Sequence, residues 1–235
     1  MITSKDCWLK NTCKKYNSSK ECACRSNDIF CIKLFKLDEL YNIANMSMVQ
    51  RTKKDLILDA DKCDKDAYSE LKNFCENIEQ NVKSGYNIYI YSSITGNGKT
   101  AWAEKIIQSY INSIWYKANL EPPVVLFVSV PSYLIAMKDN ISNRNEYFNY
   151  IKENAIKADL VIWDDIATKG MTQFEHDNLL AIIDQRMLLN KSNVFTSNIY
   201  PEDLEDYLGP RLTSRIRQLS KCIEFKGKDK RGINK

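Results

Sequence analysis

Residues 86–100 read YNIYIYSSITGNGKT, and the order of residue types within them decides the fold. The apolar run YNIYIY is short and has the aromatic and β-branched content of a buried strand. Small polar residues follow. Gly98, Lys99 and Thr100 then open a segment in which Ala103, Ile106, Ile107, Tyr110, Ile111 and Ile114 recur at helical spacing. Strand, loop and helix in that order are the context of the phosphate-binding loop G-x-x-x-x-G-K-[ST]. Its backbone N–H groups wrap the phosphates, its Lys reaches the outer ones, and its hydroxyl ligates magnesium. Ser93 stands where the first Gly of that loop belongs. The position relieves a tight turn, so a small Ser is expected to serve there if its φ is negative. The expected nucleotide contacts are Ser93, Thr95, Gly96, Asn97, Gly98, Lys99, Thr100 and Ala101.

Short apolar strands continue to alternate with helices along the chain. VVLFVSV (124–130), ADLVIWDD (158–165), NVFTSN (193–198) and KCIEF (221–225) read as four more strands, and Pro131 opens the helix after the first of them. Upstream, Tyr68, Leu71, Phe74, Cys75, Ile78 and Val82 share one face of a single helix predicted over 66–85, with Gly85 as its stop. The alternation predicts an α/β fold: a parallel five-stranded P-loop sheet sandwiched by helices.

Three further elements complete the expected site. LVIW ends in Asp164 and Asp165; the first is placed to hold magnesium and the second to orient the attacking water. Many ATPases carry Glu at the second place, and the shorter Asp predicts slow turnover, below about 10 per second. Asn198, closing VFTSN, is expected at the tip of the strand between the other two, where it senses the γ-phosphate. In GPRLTSRIRQ, one of Arg211, Arg215 and Arg217 is expected to reach a neighbouring subunit's γ-phosphate as an arginine finger, giving self-association. Only ten residues follow KCIEF, so the helical lid of a complete AAA+ module is not expected. These ten, KGKDKRGINK, are mostly basic and read either as a solvated tail or as a segment that touches phosphates.

With TGNGKTAWA, LVIWDDI, FTSN and LGPRLTSRI in this order, the chain resembles the replicative-helicase loaders of the DnaC/DnaI type, an AAA+ group in the IstB-like clade. The shorter versions carried by phages and mobile elements are the nearest in pattern. The resemblance implies ATP and Mg2+ as ligands of Lys99 and Thr100, Asp164 and Asp165 as the acidic pair, and Asn198 as the sensor. It also implies Arg215 as the finger with Arg211 as companion. The implied function is ATP-dependent loading of a hexameric DnaB-type replicative helicase onto single-stranded DNA. The resemblance also implies a helix before the acidic strand that helps line a channel for single-stranded DNA, which makes Lys138, Arg144, Tyr147, Phe148 and Lys152 candidate DNA contacts, although aromatics at helical spacing are more often core. Two rivals stand beside this reading: a transposase-helper ATPase of the IstB type, and a non-hydrolysing adaptor or inhibitor of a helicase loader.

Five of the eight cysteines fall between Cys7 and Cys31, at spacings x5, x8, x1 and x6. A reduced compartment and few large apolar residues in that stretch favour metal over disulfides. Zinc is expected on Cys7, Cys13, Cys22 and Cys31, with Cys24 the alternative to Cys22. DnaI-type loaders resemble this in having an N-terminal zinc module that engages the helicase. The chain therefore divides into a cysteine-rich module over 1–45, a polar linker over 46–65 and an AAA+ domain over 66–235. No apolar run approaches the roughly 20 residues that cross a bilayer, so no membrane partner and a cytoplasmic location are expected. A net charge of +4 is too small to argue for nucleic acid by itself. His176, on a helical face with Leu179, Leu180 and Ile183, is assigned a packing role, and so is Trp163.

Overall fold

The computed structural model describes residues 29–51, 64–167 and 170–230, apart from the side chains of residues 29–32, 48 and 49. The zinc expectation on Cys7, Cys13, Cys22 and Cys24 lies outside the described residues. Cys31 is described only as backbone, within a helix.

Helices α1 (Ile29–Ile43), α2 (Met48–Arg51), α3 (Lys65–Glu76) and α4 (Ile78–Lys83) precede strand β1 (Asn87–Tyr91). Then come α5 (Lys99–Ile114), β2 (Val125–Ser129), α6 (Val130–Ser142), α7 (Glu146–Asn154), β3 (Leu160–Asp164), α8 (Gln173–Leu188) and β4 (Ser192–Ser197). A 3-10 turn at Pro201–Asp203, α9 (Glu205–Leu219) and β5 (Ser220–Glu224) complete the described order. The five strands lie parallel in the order β2-β3-β4-β1-β5.

Alternation along each strand divides the core in two. Ile88, Ile90, Val125, Phe127, Leu160, Ile162, Val194 and Ile223 face one side, where α1, α3, α4 and α5 pack. Tyr89, Leu126, Val128, Val161, Trp163 and Phe195 face the other, beneath α6, α7, α8 and α9. Both faces are covered, which is why the strands read as continuous apolar runs rather than as polar–apolar alternation. Trp163 is fully buried, as its packing role requires.

Two segments differ from the sequence expectation. The single helix predicted over 66–85 is two helices, because Asn77 leaves helical geometry (φ −108°, ψ 27°). The Asn77 side chain donates to the Asn73 carbonyl at 3.1 Å and competes with the backbone ladder there. The stretch around residue 45, predicted as the seam between module and linker, is packed: Leu40, Ala44 and Met46 are buried in the same core cluster as the sheet. Phe127 N–H donates to the Ala44 carbonyl at 2.8 Å, and the Asn45 amide donates back to the Phe127 carbonyl at 3.0 Å. No described helix is long and apolar enough to cross a membrane.

Candidate nucleotide site

The carboxyl ends of β1, β3 and β4 lie side by side, with β4 between the other two. In a parallel α/β sheet this edge is where ligands sit, outside the strand ends and beside the crossover point. The loop after β1 runs over 92–98 and delivers Lys99 and Thr100 as the first residues of α5. Gly98 has φ 105° and ends the loop at the positive end of that helix. Among described non-glycine residues a positive φ occurs at Asn45, Asp165 and Asn190 only, so Ser93 meets the condition set for it.

Lys99 is 6% exposed, and its ammonium is held inside the loop. Nζ donates to the Ile94 carbonyl at 3.0 Å, to Asn97 Oδ1 at 3.3 Å and to the Ser92 carbonyl at 3.5 Å. The Asn97 amide in turn donates to Ser92 Oγ at 2.7 Å, and that hydroxyl accepts from Ile94 N–H at 3.1 Å. The loop is thereby closed around its own lysine. Neutral carbonyls are weaker partners for an ammonium than an anion is, so phosphate oxygens entering the loop would draw Lys99 off them.

Thr100 Oγ1 donates to Asp164 Oδ1 at 2.9 Å, which joins the phosphate loop to the end of β3. Thr196 Oγ1 donates to the same oxygen at 2.7 Å and accepts from Asp165 N–H at 3.0 Å. Asp165 is exposed and sits at φ 55°, a left-handed conformation that Asp tolerates better than most residues. Burial pushes the Asp164 carboxyl up to about 6; the hydroxyls of Thr196 and Thr100 oppose that rise, and the neighbouring Asp165 charge adds to it. Two hydroxyls and a carboxylate on one oxygen cluster are hard ligands of the kind Mg2+ takes.

Asn198 is exposed one residue beyond β4, on the same edge. On α9, Leu208, Leu212 and Ile216 point inward, and Arg211, Arg215 and Arg217 are exposed. Arg215 Nε donates to Asp184 Oδ1 of α8 at 2.5 Å. With Leu180, Pro210, Arg211 and Ser214, this pair lines a cleft of about 300 Å³.

The expected DNA contacts are not all available. Phe148 is 5% exposed, and its ring stacks on Tyr133 at a 5.3 Å centroid distance, so it is a core residue and not a base platform. Lys138, Arg144 and Lys152 are exposed, and Lys138 Nζ also pairs with Glu175 at 3.1 Å. His176 hydrogen-bonds through Nε2 with the Leu208 carbonyl and packs at the core's edge, as its sequence neighbours predicted.

One residue of the site and one contact within it were not legible in the sequence. Thr196 has no role in the sequence reading; a hydroxyl within a buried strand was the available signal. Asn97 is among the expected nucleotide contacts, but nothing local shows that its amide also reaches the Phe225 carbonyl, at 3.3 Å.

The replicative helicase loader DnaC of Buchnera aphidicola subsp. Schizaphis graminum is 25% identical over 150 residues, which is 62% of this chain and 55% of that relative. The chain therefore spans about half the length of the curated relative it matches. Among solved structures, the DnaC helicase loader superimposes with a TM-score of 0.59 at 16% identity, covering 77% of this chain and 100% of that one. The chain is similar to DnaC and shares its fold. Replication initiator DnaA bound to AMPPCP and single-stranded DNA has a TM-score of 0.57 at 20% identity, over 74% of this chain and 50% of its own. No family model matches. The likeness to these two structures is one of fold, in keeping with the predicted α/β architecture around a five-stranded parallel sheet.

Proposed function

We propose that this chain is an ATPase that loads a hexameric DnaB-type replicative helicase onto single-stranded DNA. The observation that carries the proposal is the Thr100–Asp164–Thr196 cluster beside a phosphate loop closed on Lys99, in a chain similar to a replicative helicase loader. In this reading Lys99 leaves the Ile94 carbonyl for the outer phosphates of ATP, and the loop amides from Ser93 to Ala101 surround them. Thr100 and Asp164 hold Mg2+, which supplies charge neutralisation at the phosphates. Asp165 orients the attacking water and Asn198 reads the γ-phosphate. Arg215, with Arg211 beside it, gives up Asp184 to reach the γ-phosphate of a neighbouring copy, so that ATP governs self-association. The short Asp165 keeps hydrolysis slow until the helicase and DNA complete the site.

The zinc reading of Cys7, Cys13, Cys22 or Cys24, and Cys31 belongs to this proposal and rests on sequence alone. Purified protein is expected to carry close to one zinc per chain, and a Cys7→Ser, Cys13→Ser chain to carry none.

Co-purification with the cognate replicative helicase tests the whole. Wild type is expected to associate and to hydrolyse ATP faster with helicase and single-stranded DNA present. Lys99→Ala is expected to lose the ATP effect. No association with or without ATP would remove the loader reading. Association without any turnover would leave the non-hydrolysing adaptor.

A further inference from the structure

Residues 225–230 do not leave the sheet after β5. Phe225, 1% exposed, donates its N–H to the Tyr91 carbonyl at 2.8 Å, and its own carbonyl accepts from the Asn97 amide at 3.3 Å. The next two N–H groups, of Lys226 and Gly227, both donate to the Asp64 carboxylate, at 2.7 and 3.1 Å. Asp64 is 1% exposed, just ahead of α3. A Cβ at position 227 would come within 2.5 Å of Asp64 Oδ2, so any larger residue there would have to push the carboxylate aside. Lys230 N–H then donates to the Gly96 carbonyl at 3.0 Å.

The segment is therefore tied to the phosphate loop at both ends, through Asn97 and Gly96, with a buried carboxylate gripping its middle. A buried carboxylate satisfied by two backbone amides is a built anchor, because burying it without them would cost several kcal/mol. The segment carries Lys226, Lys228 and Lys230 against one acid, Asp229. Lys226 pairs with Glu224 at 3.5 Å, and Lys228 is exposed. Asn97 connects the two systems: Oδ1 accepts from Lys99, and the amide nitrogen donates to Phe225. A ligand that draws Lys99 away thus acts on the residue that holds the segment.

The geometry points to residues 226–230 as part of the nucleotide site: a basic strap, anchored by Asp64 and the phosphate loop, that adds positive charge beside the triphosphate and shifts its hold when Lys99 moves. The proposal rests on the nucleotide-site reading and extends it to a segment outside the phosphate-loop motif. For residues 226–230 it takes the second reading of the basic stretch, a segment that touches phosphates.

Titration of the full chain with a fluorescent ATP analogue tests the strap, alongside amide hydrogen exchange over 225–230 with and without ATP. The variants are Lys99→Ala, the double Lys228→Ala/Lys230→Ala, and Asp64→Asn. The double variant is expected to bind about 5-fold more weakly at low salt, with the difference shrinking as salt screens the charges. Asp64→Asn is expected to weaken binding as well and to speed exchange at the 226, 227 and 230 amides. ATP is expected to change exchange at the same amides in wild type. If the double variant binds within twofold of wild type and exchange over 225–230 ignores ATP, while Lys99→Ala loses binding, the strap is wrong and the nucleotide site stands. If wild type binds no analogue, the nucleotide-site reading fails, and the strap with it.

Discussion

Asp164 carries the clearest conflict between stability and chemistry. Its carboxyl is pushed from 3.8 up to about 6 by burial at the end of β3, so the folded chain binds this proton more tightly than the unfolded one does. The resulting stabilisation is fully present below the unfolded value and is lost as pH rises through about 6. Above that, a buried carboxylate leaves the fold worse by about 3 kcal/mol, at roughly 1.4 kcal/mol per pH unit of displacement. Asp164→Asn keeps an oxygen acceptor for Thr100 and Thr196 and removes the charge. It is expected to be more stable than wild type by up to about 3 kcal/mol at pH 8, with the gap closing toward pH 4. It should also lose ATP hydrolysis. Denaturant unfolding of both chains across that range measures the gap, and one that does not change with pH would reject burial of the charge as its cause. Thr196→Val isolates the other half of the cluster. It deletes one donor to Asp164 and the acceptor of Asp165 N–H, so a loss of about 1–3 kcal/mol is expected from the unpaired groups. Nucleotide affinity should be kept and turnover reduced, because Lys99 and the loop are untouched.

At the scale of elements, what was legible followed from burial. The first four strands were readable because each is a short run covered on both faces, whereas β5 buries only Ile223. The helices after the phosphate loop and before β3 were readable from their spacing and from Pro131. The order β2-β3-β4-β1-β5 puts the end of β4, one residue before Asn198, between the ends of β1 and β3. The break at Asn77 was not readable, since both halves bury one continuous face: Leu71 and Phe74, then Ile78 and Val82. The docking of residues 43–46 was hidden for a different reason. Its four residues, Ile43, Ala44, Asn45 and Met46, are too few to show a period, and what ties them down is hydrogen bonding to Phe127, on a strand eighty residues away. α9 shows how a sequence feature can be seen and its geometry missed. Gly209 lies inside that helix at φ 67°, ψ 167°, a region closed to other residues, and it sets the direction in which Arg211 and Arg215 leave. A Cβ there would also stand 3.2 Å from His176 Nε2. Gly209→Ala is expected to cost about 1–3 kcal/mol. It should also depress ATP hydrolysis that depends on self-association more than it depresses ATP binding. Unfolding curves and a nucleotide titration on the same variant separate the two effects.

For the molecule as a whole, the weak points of an open sheet are its edges, which offer unpaired backbone groups to other chains. β2 is one such edge, and here Ala44 and Asn45 close it through Phe127, while the Tyr150 hydroxyl donates to the Ile43 carbonyl at 2.6 Å. The same N-terminal stretch reaches the helix that carries Lys99 and Thr100. Gln108 of α5 donates to the Gln50 carbonyl at 2.8 Å, and Leu40, fully buried, joins the cluster beneath that helix. Residues 29–51 thus brace both the sheet edge and the helix that carries Lys99 and Thr100. Leu40→Ala is expected to destabilise the chain by about 2–5 kcal/mol through lost burial and the cavity left behind. For a chain of this size that is a fall in Tm of roughly 5–15 °C. A chain beginning at Asp64 should fall further and aggregate, because it uncovers both the apolar surface and the β2 edge. Thermal melts with light scattering on the three proteins check this; if the shortened chain melts with wild type and stays monomeric, the N-terminal helix is an attachment and not a brace.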